Sequence, residues 1–297
     1  MQAPAVAIEG INKSFKAGQP VLDGIDLNVK QGEMVGLIGA SGSGKSTLIR
    51  LIAGFETIDK GQGKIQLFGN DCQINGQRTG AIRDLRHDVG IIFQQFNLVG
   101  RLTLLLNVLV GRLGRISWLR GTIGMFPERD RVKALQALER VGIVDKAYQR
   151  ASTLSGGQQQ RAAIARALTQ EAKLILADEP IASLDPASAE RVMTILRSIN
   201  QQDKVTVIVS LHQIDHAFKH CDRIIALKDG KIIHDGDVDQ ITKEDLENLY
   251  GIDLAAGDDH EIRSAGKKPG RTAVKRPVYG NGRDPSPQLA AASVLDA

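Results

Sequence analysis

The sequence predicts an α/β fold built on a parallel sheet, and three observations carry that expectation. Short apolar, strand-like runs alternate with amphipathic helical stretches over most of the chain. One strand passes through a glycine-rich turn directly into a helix, the unit from which parallel sheets are built. Hydrophobic residues make up 42% of the 297, enough for a sizeable packed core.

At the amino end, 5–15 and 21–29 are short, β-compatible and turn-bounded, with Gly18 and Pro20 between them. They predict an antiparallel edge or small sheet. The apolar segment from Glu33 to Ile38 then runs through the glycine-rich turn into 45–53, where apolar residues recur at helical spacing. Buried-type strands follow at 89–93, 174–177, 205–209 and 223–227, and amphipathic helices at 129–141, 158–168, 187–200 and 213–219. Between Phe93 and Ser155 about sixty residues show no strand pattern and predict a helical insertion, interrupted by a Gly- and Arg-rich stretch at 111–124. Beyond about Leu254 periodicity ends, and four of the nine prolines fall between Pro269 and Pro287. A domain over 1–252, with a helical subdomain over about 95–168, and a low-complexity, disordered tail over 253–297 are expected.

Composition narrows the function classes. The formal charge of +4 comes from 38 basic against 34 acidic residues, mostly interspersed, which describes a solvated surface and no nucleic-acid partner. From Arg263 to Arg276 there are six basic residues and no acidic one, a run suited to anionic lipid or nucleic acid, but a solvated tail accounts for it. Cys72 and Cys221 are far apart and predict neither a disulfide framework nor a zinc site, in keeping with a reducing cytoplasm. The amino terminus shows no secretory signal pattern, and the longest apolar run, Leu102 to Gly111, is interrupted by Thr103 and Asn107. It falls far short of the ~20 residues that span a bilayer.

Two motifs carry the chemistry. Gly39-Ala-Ser41-Gly42-Ser43-Gly44-Lys45-Ser46 matches the phosphate-loop pattern between a strand and a helix. Its backbone N–H groups and the helix start suit an anion, Lys45 suits the β- and γ-phosphates, and the Ser46 hydroxyl suits Mg²⁺. Leu154-Ser155-Gly156-Gly157-Gln158 is a second anion-ready helix start, with Ser155 as N-cap. Two such starts 110 positions apart make sense if each nucleotide is clamped by one chain's loop and another chain's Ser155 helix.

With both motifs in hand the sequence resembles the ABC ATPase family, in which LSGGQ is the signature and sites form between two head-to-tail copies; the resemblance covers residues 5 to 252. It implies a RecA-like core with phosphate loop, an N-terminal antiparallel β subdomain and an α-helical signature subdomain. ATP would lie on Gly39, Ser41, Gly42, Ser43, Gly44, Lys45, Ser46 and Thr47, and on Ser155, Gly156, Gly157 and Gln158 of a second copy. At the end of the apolar strand Leu174 to Ala177, Asp178 resembles the residue that holds Mg²⁺ through water and Glu179 the base that activates the attacking water. Asp185, in Ala182-Ser-Leu-Asp185, resembles the loop that crosses the dimer interface, and His212 the switch histidine at the γ-phosphate. Gln94 resembles the glutamine that touches Mg²⁺ and water, with Gln95 as the adjacent alternative. Mg²⁺ is thus expected on Ser46, Gln94 and Asp178. Phe15 stands where the family stacks an aromatic ring on adenine, with a place in the core as its alternative reading. His216 and His220 form a metal-like stripe at four-residue spacing, set aside because no carboxylate or cysteine pair completes a site in the sequence.

One motif set and a short spacing between the motifs resemble a transport motor rather than a translation or repair ATPase. The stretches 97–129 and Ser210 to Asp215 resemble phosphonate importer ATPases specifically. That implies an ATP hydrolase on the cytoplasmic face of the cell membrane, working with a second copy, with integral membrane permease subunits and indirectly with a phosphonate-binding protein. The permease is expected on the region from Gln94 to Arg120, with Trp118 and the nearby arginines as candidate contacts. The alternatives are an importer for phosphite, phosphate or another small polar solute, or the ATPase of a phosphonate-degrading complex.

Overall fold

The computed structural model describes residues 2–16, 18–61, 63–117, 120–121 and 124–250. Trp118 and the expected tail at 253–297 lie outside the described residues. A six-stranded sheet forms the centre, in the order β11 (Lys231–Asp237), β10 (Arg223–Lys228), β3 (Met34–Ile38), β9 (Thr206–Leu211), β8 (Leu174–Ala177) and β7 (Val89–Ile92). All pairs are parallel except β10 with β11. The parallel strands are apolar almost throughout because both faces are covered. Their side chains alternate between two cores: Met34, Ile175, Val207, Val209 and Ile224 face one, while Val35, Leu174, Leu176, Ile208 and Ile225 face the other.

The second core is closed by an antiparallel sheet of five strands, β2 (Gln19–Val29), β1 (Val6–Lys16), β4 (Lys64–Leu67), β5 (Asn70–Ile74) and β6 (Gln77–Arg78), in that order. The sequence reading found β1 and β2 but missed β4 to β6 and the edge strand β11. Tight turns join several of these. Asn75-Gly76 and Asp229-Gly230 have positive φ at both residues, the conformation that two-residue hairpins need and these dipeptides favour.

The α-helices that lie wholly among the described residues are α1 (Lys45–Ile52), α2 (Ile82–Leu85), α3 (Leu104–Leu109), α4 (Glu128–Arg140), α5 (Gly156–Thr169), α6 (Pro186–Asp203), α7 (Ile214–His220) and α8 (Lys243–Tyr250). Two caps set where the functional helices begin. Ser155 caps α5 through a capping box with Gln158, which starts the helix at Gly156 rather than at Gln158 as the pattern alone suggests. Asp185 caps α6 by accepting from the Ser188 N–H, with Pro186 at the first helical position.

Helices α3, α4 and α5 pack together as the expected insertion. A charged network is anchored there: Arg112, 4% exposed, donates to the buried Asp130 at 3.1 Å and to the exposed Glu171 at 2.7 Å. Lys133 also donates to Glu171. These contacts hold the Glu171 carboxyl at about 2, well below its ordinary range, the Lys133 hydrogen bond being the largest cause and the Arg112 guanidinium a further one.

Candidate active site

The carboxyl ends of β3, β7, β8 and β9 lie side by side along one edge of the central sheet, where open α/β sheets place their ligands. The loop after β3 carries 39–44 and closes on α1. Gly44, at the α1 N-cap, has φ 108 and sits against Leu22 and Val21 so closely that a Cβ would lie 2.6 Å from Leu22 Cδ2. Only glycine allows this approach. No side chain caps α1, so its first N–H groups are left open for an anion.

Lys45 is 4% exposed and folds back over the loop, donating to Gly39 O at 2.7 Å and Ala40 O at 3.2 Å. Burial pushes its pKa down, while Glu179 and Asp178 act against that shift. A buried ammonium held by two neutral carbonyls gains strongly from a phosphate. The Ser43 hydroxyl oxygen in the same loop is buried without a hydrogen-bond partner, a second group suited to a polar ligand.

At the end of β8 the backbone turns sharply. Glu179 adopts φ 48, a left-handed conformation that costs a non-glycine residue about 1–3 kcal/mol. Its N–H donates to Ser210 Oγ at 2.8 Å, and Ser210 Oγ donates in turn to Asp178 Oδ1 at 3.0 Å. Ser46 Oγ reaches the same carboxylate oxygen at 2.8 Å, and Glu179 Oε1 lies 2.5 Å from His212 Nε2. Ser210, fully buried at the end of β9, was missed as a site residue. The available signal was a hydroxyl closing a run of apolar strand residues, immediately before Leu211-His212. Ser46 and Asp178 supply the hard oxygen donors that Mg²⁺ takes.

The remaining residues stand apart from this cluster. Ser155 is exposed at the start of α5, and that start packs on other elements: a Cβ at Gly156 would meet Phe96 and Leu184, and one at Gly157 would come within 2.6 Å of Ser188 Oγ. Among the described residues no hydrogen bond or ion pair joins the phosphate loop to 155–158. Asp185 is exposed, and its hydrogen bonds to Ser188 hold its carboxyl below the ordinary range. The matched family profile, described as ABC transporter, spans residues 22–182, more than half the chain.

The chain belongs to the ABC transporter family. It is 55% identical over 253 residues to the phosphonates import ATP-binding protein PhnC of Stutzerimonas stutzeri, covering 85% of this chain and 91% of that protein. The PhnC of Caulobacter vibrioides is 52% identical over 248 residues, covering 84% and 94%. Among solved structures, a dimeric ATP-binding cassette in a post-hydrolysis state, bound to ADP and phosphate, is 34% identical with a TM-score of 0.68, covering 78% of this chain and 98% of that one. Nucleotide binding follows from membership of this family.

Within this ABC fold, several expectations acquire a place. Gln94 and Gln95 both stand exposed in the turn after β7, on the edge that carries Asp178 and Glu179. Phe15 is 58% exposed with Lys13 Nζ 4.8 Å from its ring centroid, so the core alternative for Phe15 falls. Two of the arginines expected at the surface of 94–120 are engaged within the chain: Arg112 is buried with Asp130, and Arg115 binds Asp88 and Gln170 O. A further correction concerns the stripe on α7. Glu190 from α6 reaches both His216 and His220, a carboxylate that the linear sequence hides because it lies on another helix.

Proposed function

We propose that this chain is the ATP-hydrolysing motor subunit of a phosphonate importer, acting as a head-to-tail pair. The division of the site supports the pairing: Lys45, Ser46, Asp178, Glu179 and His212 share one sheet edge, whereas Ser155 presents an open helix start elsewhere. The phosphonate assignment rests on the relatives named above, aligned over most of both chains.

Our reading gives ATP to the loop 39–47 of one copy and to 155–158 of the other, with Phe15 stacked on adenine and Asp185 at the junction. Ser46, Asp178 and Gln94 would hold Mg²⁺, which would supply positive charge to offset that of the phosphates. Glu179 accepts a proton from water as the water oxygen attacks the γ-phosphorus and the bond to the β-phosphate oxygen breaks. His212, 2.5 Å from Glu179 Oε1, orients that carboxylate and reports the γ-phosphate. A general base of this kind contributes about 10²–10⁴-fold.

Membrane permease subunits dock, in this reading, on a groove of about 370 Å³ lined by Phe55, Arg86, Phe93, Asn97, Val110 and Arg166. It lies beside the turn that carries Gln94, so a permease helix seated there is mechanically linked to the γ-phosphate side of the site. The motor works at the cytoplasmic face of the membrane, and no described helix is long and apolar enough to cross it. The domain spans 1–252, with a helical signature subdomain over about 95–168. Reconstitution with permease and binding protein tests the substrate: ATP hydrolysis should rise with a small alkylphosphonate. Stimulation by an amino acid with no response to any phosphonate overturns the substrate assignment and leaves the ATPase standing.

A further inference from the structure

We propose that Glu190, His216 and His220 form a zinc-type divalent metal site, separate from the nucleotide site. His216 and His220 are four residues apart on α7, so both rings lie on one helix face, stacked with centroids 6.1 Å apart and planes 19° apart. The neighbouring helix α6 brings Glu190 to the same face. Its carboxylate lies 3.7 Å from His216 Nδ1 and 3.4 Å from His220 Nε2, and the three donor atoms all lie within 4.8 Å of one another. Around a tetrahedral ion with bonds of about 2.0–2.2 Å, ligand atoms stand ~3.3–3.6 Å apart. Small side-chain adjustments therefore close this trio on a metal.

Donor chemistry selects the ion. Two imidazoles and one carboxylate suit Zn²⁺ and its neighbours, with water in the fourth position, whereas Mg²⁺ and Ca²⁺ take all-oxygen sets. The competitor for Glu190 is Lys219, whose ammonium donates to Oε1 at 2.6 Å. Its side chain is 60% exposed and can release into solvent. His216 and Glu190 are 16% and 38% exposed, which leaves an entry path. Cys221, beside His220, is buried with its thiol pushed up to about 12 and takes no part. Glu190 follows Asp185 by five residues and His216 follows His212 by four, so bound metal would tie together the helices that extend from those two loops.

Zn²⁺ titration of the full chain, stripped with chelator and free of nucleotide, tests the site by competition with a chromophoric chelator. One Zn²⁺ per chain at micromolar concentration, a Co²⁺ visible band of tetrahedral type and a chelator-reversible rise in Tm are expected. His216→Gln and Glu190→Gln should each weaken binding at least about ten-fold, since even outer-shell losses weaken metal affinity about 10–100-fold. The double change His216→Gln with His220→Gln should remove it, while alkylated thiols leave it intact. Metal-free melting of the milder Glu190→Gln separates a lost ligand from a lost fold. Unchanged Zn²⁺ affinity in Glu190→Gln and His216→Gln, or no binding by the unaltered chain, overturns the proposal.

Discussion

The amino ends of α1 and α5 are both glycine-flanked helix starts, yet they meet their unpaired N–H groups in opposite ways. At α1 the cap is Gly44, which offers no side chain, and the adjacent Lys45 folds back over the loop. At α5 the cap is Ser155, which accepts from Gln158 N at 3.4 Å while Gln158 Oε1 accepts from Ser155 N at 3.0 Å. The first start depends on a ligand to complete it. The second is partly completed by its own side chains and stands as an exposed surface. Under the proposed pairing, exchanging its one long hydrogen bond for a bond to a partner's phosphate would cost little, because a neutral bond nets about 1 kcal/mol whereas a bond to a charged oxygen is roughly twice as strong.

Stopping the chemistry while keeping both halves of the site separates their roles most strongly. Glu179→Gln should lower kcat about 10²–10⁴-fold with ATP affinity retained, leaving an ATP-bound pair detectable by light scattering. Near-normal hydrolysis would remove Glu179 from its proposed role. Next in size, Lys45→Ala should weaken nucleotide binding by the single chain, on the order of ten-fold or more, because it deletes a buried cation aimed at phosphate. Ser155→Arg should leave that binding within about two-fold and block hydrolysis by the pair, since Ser155 is a small exposed cap on which Arg adds bulk. Mixing the two variants should restore part of the activity. Loss of nucleotide binding by isolated Ser155→Arg protein would overturn the two-copy site.

A smaller effect is expected inside the first half-site. Ser210→Ala removes the acceptor for Glu179 N and a donor to Asp178, both hydrogen bonds part-buried, and should cost about 1–3 kcal/mol in denaturant unfolding. If the strained turn at Glu179 depends on Ser210, kcat falls alongside. An unchanged midpoint and unchanged kcat would mean that the turn holds without it.

The smallest effect concerns the subdomain that presents Ser155. Glu171, just beyond the end of α5, has its folded pKa held at about 2 by Lys133 and Arg112. A depressed carboxylate contributes stability that is complete above its ordinary value and lost as pH falls through the interval down to about 2. Its side chain is 44% exposed, so the contribution is screened to about 1 kcal/mol or less. Glu171→Gln should therefore flatten the acid limb of the Tm–pH curve without altering nucleotide affinity, and an unchanged limb would show that the pair adds nothing.

Much of this was readable in order along the chain. Apolar periodicity located the central parallel strands, because they are covered on both faces and so carry unbroken apolar runs. The phosphate loop, the Ser155 helix start and the pair Asp178-Glu179 could be located in the sequence because each is a contiguous stretch at the end of a strand or the start of a helix. The short strands β4 to β6 went unseen because they are two to five residues long and half polar, although Asn75-Gly76 marked one of their hairpins. Contacts between distant segments were beyond reach of the linear pattern. Ser210 joins Asp178 and Glu179 only because β9 pairs with β8, Arg112 is withdrawn from the surface only because Asp130 and Glu171 converge on it, and Glu190 meets His216 and His220 only because α6 lies beside α7. Sequence determines local periodicity and backbone-borne motifs, whereas side-chain partnerships across elements are decided by which strands pair and which helices pack, a property of the whole core.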